Sequence, residues 1–232
     1  MKSTKSLGML LVGTALTFSL TGCSDDEGSP TATPTTSTTA SVKVVHASPN
    51  APGVDLLVDN ATVKTNLMFP ENTSYLSVPA GTRNVKVNVT GTSTTVIGAD
   101  LSVMAGTSYS VFAVDSVSRI SPLVTVDDLT TPAAGNAHVR FIHLSPNAPA
   151  VDIAVTGGPV VWGNKKFKEY TNFTPLAAGT YNLEVRLAGS STVVLPLSGI
   201  TLQAGKIYTV FAKGFVSGTG AQALGAQIIV NK

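Results

Sequence analysis

Val44-Val45-His46-Ala47-Ser48-Pro49-Asn50-Ala51-Pro52-Gly53-Val54-Asp55 returns later in the chain as Phe141-Ile142-His143-Leu144-Ser145-Pro146-Asn147-Ala148-Pro149-Ala150-Val151-Asp152. His46 and His143 stand 97 residues apart. The correspondence continues: Ala80-Gly81-Thr82 matches Ala178-Gly179-Thr180, and Ala105-Gly106 with Tyr109 and Phe112 matches Ala204-Gly205 with Tyr208 and Phe211. The offset drifts by single residues, as loop insertions make a duplicated domain drift. A period this long exceeds that of a solenoid repeat and suits an independent β-sandwich. The two units are placed at 42–128 and 138–232, joined by a turn-rich linker at 129–137.

Within each unit the apolar period is two. Val85, Val87 and Val89 alternate with Lys86, Asn88 and Thr90, and Leu183, Val185 and Leu187 alternate with Glu184 and Arg186. Such segments are half-buried strands. Turn signals such as Asp59-Asn60, Pro79-Ala80-Gly81 and Ala105-Gly106 separate them, and no long amphipathic helix interrupts. The expected class is all-β, with two tandem immunoglobulin-like or fibronectin-like β-sandwich domains. Val103 and Leu202 each lie six residues before a tyrosine with a glycine turn between. This resembles the tyrosine corner of such sandwiches, which implies that the phenols of Tyr109 and Tyr208 bond back to a turn carbonyl.

Ahead of the repeats the chain opens with Lys2 and Lys5, an apolar run from Leu7 to Leu20, and Leu20-Thr21-Gly22-Cys23. The run is shorter than the roughly 20 residues that cross a hydrocarbon core, so residues 1–22 are expected to be a cleaved signal peptide. Leu-Thr-Gly-Cys resembles the bacterial lipobox, which implies lipidation of Cys23 and a membrane held through its acyl chains. Ser24-Asp25-Asp26-Glu27-Gly28 resembles the acidic export signal of Bacteroidetes surface lipoproteins, which implies an outer-membrane protein facing outward. Residues 23–41, rich in Thr and Pro, are expected to form a tether. Cys23 is the only cysteine, so no disulfide forms within one chain. Without the leader the basic and acidic residues balance at 13 each, and no overall field favours nucleic acid.

His-x-Ser-Pro-Asn-Ala-Pro-x-Val-Asp, Ala-Gly-Thr and Ala-Gly-x-x-Tyr-x-Val-Phe-Ala, each present twice, resemble the bacterial DUF4397 family. The resemblance covers both units and implies an exported protein, without implying a reaction.

Three groups of side chains are candidates for chemistry. His46, Ser48 and Asp55, with His143, Ser145 and Asp152, supply the residue types of a nucleophilic triad, yet Pro49 holds Ser48 extended and no nucleophile elbow is present. The expected role is structural, with histidine and aspartate bonding across the turn between two strands. Asp55, Asp59 and Asn60 offer oxygen ligands to calcium, but the second copy has Thr156 and Gly157 at the corresponding spacing, and no metal or other cofactor is expected. The third group is Trp162, Lys165, Lys166, Phe167, Lys168 and Tyr170 in the second unit, which carries eight basic and three acidic residues. It is either a ligand-facing loop, with aromatics for stacking and lysines for anions, or a lysine-protected edge strand. The expected function is a non-catalytic, lipid-anchored surface module that binds or adheres to a glycan or an envelope protein. An anchored hydrolase using His46 and His143, or a purely structural envelope component, are the alternatives.

Overall fold

The computed structural model describes residues 37–232. The expected signal peptide at 1–22, Cys23 and the acidic stretch lie outside the described residues. The first repeat contains β1 (Thr39–His46), β2 (Val54–Val58), β3 (Ala61–Leu67), β4 (Leu76–Pro79), β5 (Gly81–Val89), β6 (Thr95–Val103), β7 (Ser108–Val114) and β8 (Ser121–Asp127). The second contains β9 (Asn136–His143), β10 (Val151–Val155), β11 (Val160–Lys165), β12 (Thr174–Ala177), β13 (Gly179–Leu187), β14 (Val193–Leu202), β15 (Ile207–Lys213) and β16 (Gly225–Val230). The described residues contain no α-helix, and the class is all-β as expected. Two boundaries move. β1 begins at Thr39 because Thr39 to Val42 pair with β4, and β9 begins at Asn136 because Asn136 and Ala137 pair with β12. The last residues assigned to the tether and to the linker are therefore strand.

Each repeat is a pair of four-stranded sheets, in the orders β4-β1-β7-β8 with β3-β2-β5-β6, and β12-β9-β15-β16 with β11-β10-β13-β14. Neighbours are antiparallel except β1 with β7 and β9 with β15, which run parallel. The alternation in β5 is a buried-inward pattern: Val87 is 5% exposed and packs on Leu56 and Ile97 within one core cluster, while Lys86 and Asn88 face outward. The matching cluster of the second repeat is built on Val139, Phe141, Ile153, Val185 and Val210.

The tyrosine corners are present with the hydrogen bond reversed. The backbone N–H of Met104 donates to the Tyr109 hydroxyl at 3.1 Å, and that of Gln203 to the Tyr208 hydroxyl at 3.1 Å. The phenol oxygen accepts from the turn instead of donating to a carbonyl, satisfying an amide that the turn leaves unpaired.

β1, β7, β9 and β15 are covered on both faces. Their second faces meet in a third apolar cluster, Val45, Ala47, Phe112 and Val114 from the first repeat with Ile142, Leu144, Phe211 and Ile229 from the second. The four sheets therefore stack as one body, with a core between each successive pair. The third core also holds an ion pair between the repeats, Arg140 to Asp127 at 2.7 Å, with both side chains almost fully buried.

Candidate functional site

The paired His-x-Ser-Pro-Asn turns follow β1 and β9. A strand end followed by two prolines three apart gives a stiff, outward-bending connection, and its polar side chains are set by that bend. His46 Nε2 lies 3.0 Å from the Pro52 carbonyl, and His143 Nε2 lies 3.1 Å from that of Pro149. A carbonyl only accepts, so Nε2 carries the proton and Nδ1 is the bare nitrogen. Both rings are fully buried, and neither Nδ1 has a partner. Burial holds both imidazoles below their usual range, and the bond to the proline carbonyl offsets this only in part.

Asn50 Oδ1 accepts the Val117 N–H at 2.9 Å, and Asn147 Oδ1 accepts the Val216 N–H at 2.9 Å, tying each turn to the segment after β7 or β15. Ser145 donates to the Gly214 carbonyl at 2.6 Å, while Ser48 Oγ is buried without a partner.

The aspartates do not bond the histidines, contrary to expectation. Asp55 accepts the Asn66 N–H at 2.9 Å, the Thr90 hydroxyl at 2.9 Å and the Gly91 N–H at 3.2 Å. Asp152 accepts the Asn164 N–H at 2.6 Å and the Gly189 N–H at 2.9 Å. Asn66, Gly91, Asn164 and Gly189 all have positive φ, between 48° and 75°. Such residues turn their amides out of the sheet ladder, and a carboxylate at the start of the second strand collects them. The Asn66 amide, chief among these donors, holds the Asp55 carboxyl below the usual range. His, Ser and Asp are thus brought near one turn but serve separate clamps. Among the described residues no serine hydroxyl bonds either free Nδ1. Asp59 and Asn60 are also spent, on Arg83 at 3.1 Å and on Lys86 at 2.8 Å.

Trp162 is not a ligand-facing side chain. It is 7% exposed, stacks on Phe141 with ring centroids 6.5 Å apart, and belongs to the second core. The physical reason is its place on β11, where its face of the strand meets the opposing sheet. β11 is an edge strand of its sheet, with Lys165 at its end. Lys165 pairs with Val151 at the end of that strand. The next residues form a turn in which the Lys166 N–H donates to Glu169 at 2.9 Å. Phe167 packs against the third core, and Lys168 Nζ reaches Ser121 of the first repeat at 3.0 Å. Of the three aromatics in the set, Tyr170 alone is open, at 43% exposure. It borders a groove of 240 Å³ with Asn172, Phe173 and Thr171, closed on the other side by Val126 and Asp128 of the first repeat. The Arg140 guanidinium covers one face of Phe173, 4.5 Å from its centroid. Asn172, Phe173 and Asp128 escaped sequence reasoning because the groove needs both repeats in place.

Comparison with known families matches residues 40–154 to the family described as "Domain of unknown function (DUF4397)". This chain carries a DUF4397 domain. The DUF4397 match runs from β1 through β10, so it takes in the whole first sandwich and both His-x-Ser-Pro-Asn turns. No curated protein matches this chain.

Proposed function

We propose that this is a lipid-anchored, non-catalytic surface module, in which a second DUF4397-type unit spans 138–232 and the groove between the two sandwiches binds a neutral glycan. The groove at Tyr170 carries this reading: an open aromatic, a half-open second aromatic, an amide and a carboxylate line a concavity about the size of one sugar ring. Aromatic faces take the apolar side of a pyranose, and Asn172 with Asp128 take hydroxyls. The Thr130 hydroxyl holds the Asp128 carboxyl below its usual range, so the rim stays charged and disfavours acidic sugars. The absence of turnover is supported by the spending of His46 and His143 on turn carbonyls. Lipidation of Cys23 and outward display rest on the lipobox and the acidic run that follows it.

A glycan array probed with the soluble chain, alongside a pull-down from envelope extract, tests binding. Retention of a neutral glycan is expected, weakened about two- to tenfold by Tyr170→Ala, since one aromatic contact contributes about 0.5–1.5 kcal/mol. Blank results from both assays remove the binding role. Fractionation tests the anchor: Cys23→Ser is expected to leave the membrane pellet, and a variant that still sediments removes the lipid from the account.

A further inference from the structure

The third core has the contact pattern of a homodimer. Phe112 and Phe211, which occupy the same position in the two repeats, meet edge to face with centroids 6.1 Å apart. Lys43 and Arg140 are likewise counterparts, as are Val126 and Val230 by their pairing with Tyr109 and Tyr208. Lys43 Nζ donates to the Val230 carbonyl at 3.1 Å, and Arg140 Nη1 to the Val126 carbonyl at 3.5 Å. When residue i of one unit touches j of the other, and j touches i, the surface is self-complementary about a two-fold axis. Such a surface could pair like with like, first unit to first or second to second.

Its polar centre is where the copies differ. Asp127, the last residue of β8, corresponds to Asn231, which directly follows β16, and the two meet at the axis with Asn231 Nδ2 3.4 Å from Asp127 Oδ2. The one carboxylate receives Tyr75 Oη at 2.5 Å, Ser110 Oγ at 2.5 Å and Arg140 Nη2 at 2.7 Å. Asn231 Nδ2 also donates to Tyr75 Oη at 2.9 Å, and its Oδ1 accepts from Thr209, which in turn takes Arg140 Nε at 2.8 Å.

We propose that this face is a pairing surface whose partner is the other copy of the unit, and that the single carboxylate of Asp127 set against the amide of Asn231 selects unlike over like pairing. Two first units would bring two buried carboxylates together at the axis with two Lys43 ammonium groups, which bond carbonyls here, in place of the guanidinium that pairs with Asp127. Two second units would bury two Arg140 guanidinia with no carboxylate between them. Unlike pairing places one carboxylate where one guanidinium and several hydroxyls already point. Discrimination of this kind works by what the wrong pairing leaves repelled or unsatisfied.

The test uses the full chain with a protease site inserted between Ala134 and Gly135, both exposed in the linker. After cleavage the wild-type halves should elute together. N231D, with two carboxylates at the axis, and D127N, with none, should each raise the dissociation constant of the cut halves by on the order of 100-fold. The double swap D127N/N231D restores one carboxylate, next to Tyr75 and Thr209, and should recover at least about tenfold of that loss. Both substitutions nearly conserve shape, and circular dichroism of each uncut chain checks that it is folded. Cut N231D halves that hold together as tightly as wild type, or a swap no better than the single variants, would overturn the proposal. Neither outcome depends on whether the Tyr170 groove binds a sugar.

Discussion

The two sandwiches keep the same clamps and fill their cores differently. In both, histidine pins the turn, asparagine ties it to the segment beyond the seventh strand, and aspartate gathers two left-handed amides. The core is less constrained. Val44 of the first copy borders a cavity of 110 Å³, whereas its counterpart Phe141 is fully buried against Trp162. At the register of Trp162 the first copy has the exposed Lys64. Turn geometry depends on a few directed bonds that leave little choice of residue, while a core needs only volume and apolarity. Duplicated units therefore diverge in filling before they diverge in their connections.

The strongest way to break the comparison is at the seam. Asp127→Ala leaves Arg140 buried and unpaired and should cost about 3–5 kcal/mol in denaturant unfolding. Lys43→Met removes two bonds to carbonyls and a cation–π contact with Tyr75, and should cost about 1–2 kcal/mol. Equal losses would show that the seam has no polar centre.

Next comes the divergent core position. Trp162→Ala should cost about 3–5 kcal/mol, and Lys64→Ala should stay within about 0.5 kcal/mol. An unchanged melting temperature for Trp162→Ala would return that side chain to the surface.

The shared histidines predict a shared response to acid. Burial holds both below the ordinary histidine value of about 6.5, so the unfolded chain binds more protons just beneath that pH. Stability should be fully present above about pH 6.5 and decline as pH falls towards the folded values, by at most about 1.4 kcal/mol per pH unit per histidine. His46→Gln and His143→Gln should each flatten the slope in that window. A slope unchanged in both variants would assign the acid response to other groups.

The smallest effect concerns the tyrosine corners. Tyr109→Phe and Tyr208→Phe each strand one turn amide and should cost about 0.5–1.5 kcal/mol, equal in the two copies within about 0.5 kcal/mol. A large difference would mean that the two corners are not equivalent.

Much of the architecture was legible because strands declare themselves locally: Val85, Val87 and Val89 alternate, and the repeated turns mark where each unit starts. The double burial of the central strands was also written, in the unbroken apolar run Val111-Phe112-Ala113-Val114, which leaves no polar face for water. The candidate site was harder to see. Trp162 sits among lysines in the chain, and only the fold turns its ring inward. Arg140 carries no signal in the chain that it is buried, because its partner, Asp127, belongs to the other repeat. Tyr170 was named among the candidates, but the residues that complete its groove come from both sides of the seam.

The placement of β1 has a mechanical consequence. A pull transmitted through the chain ahead of Ser37 enters a strand flanked by β4 and β7, not one at a sheet margin. Its register with β7 runs from Ser41 opposite Ser108 to His46 opposite Ala113, in parallel. Tension along the strand therefore shears these rungs together instead of unzipping them singly, and a body moored by its front end would resist drag with its whole central ladder at once.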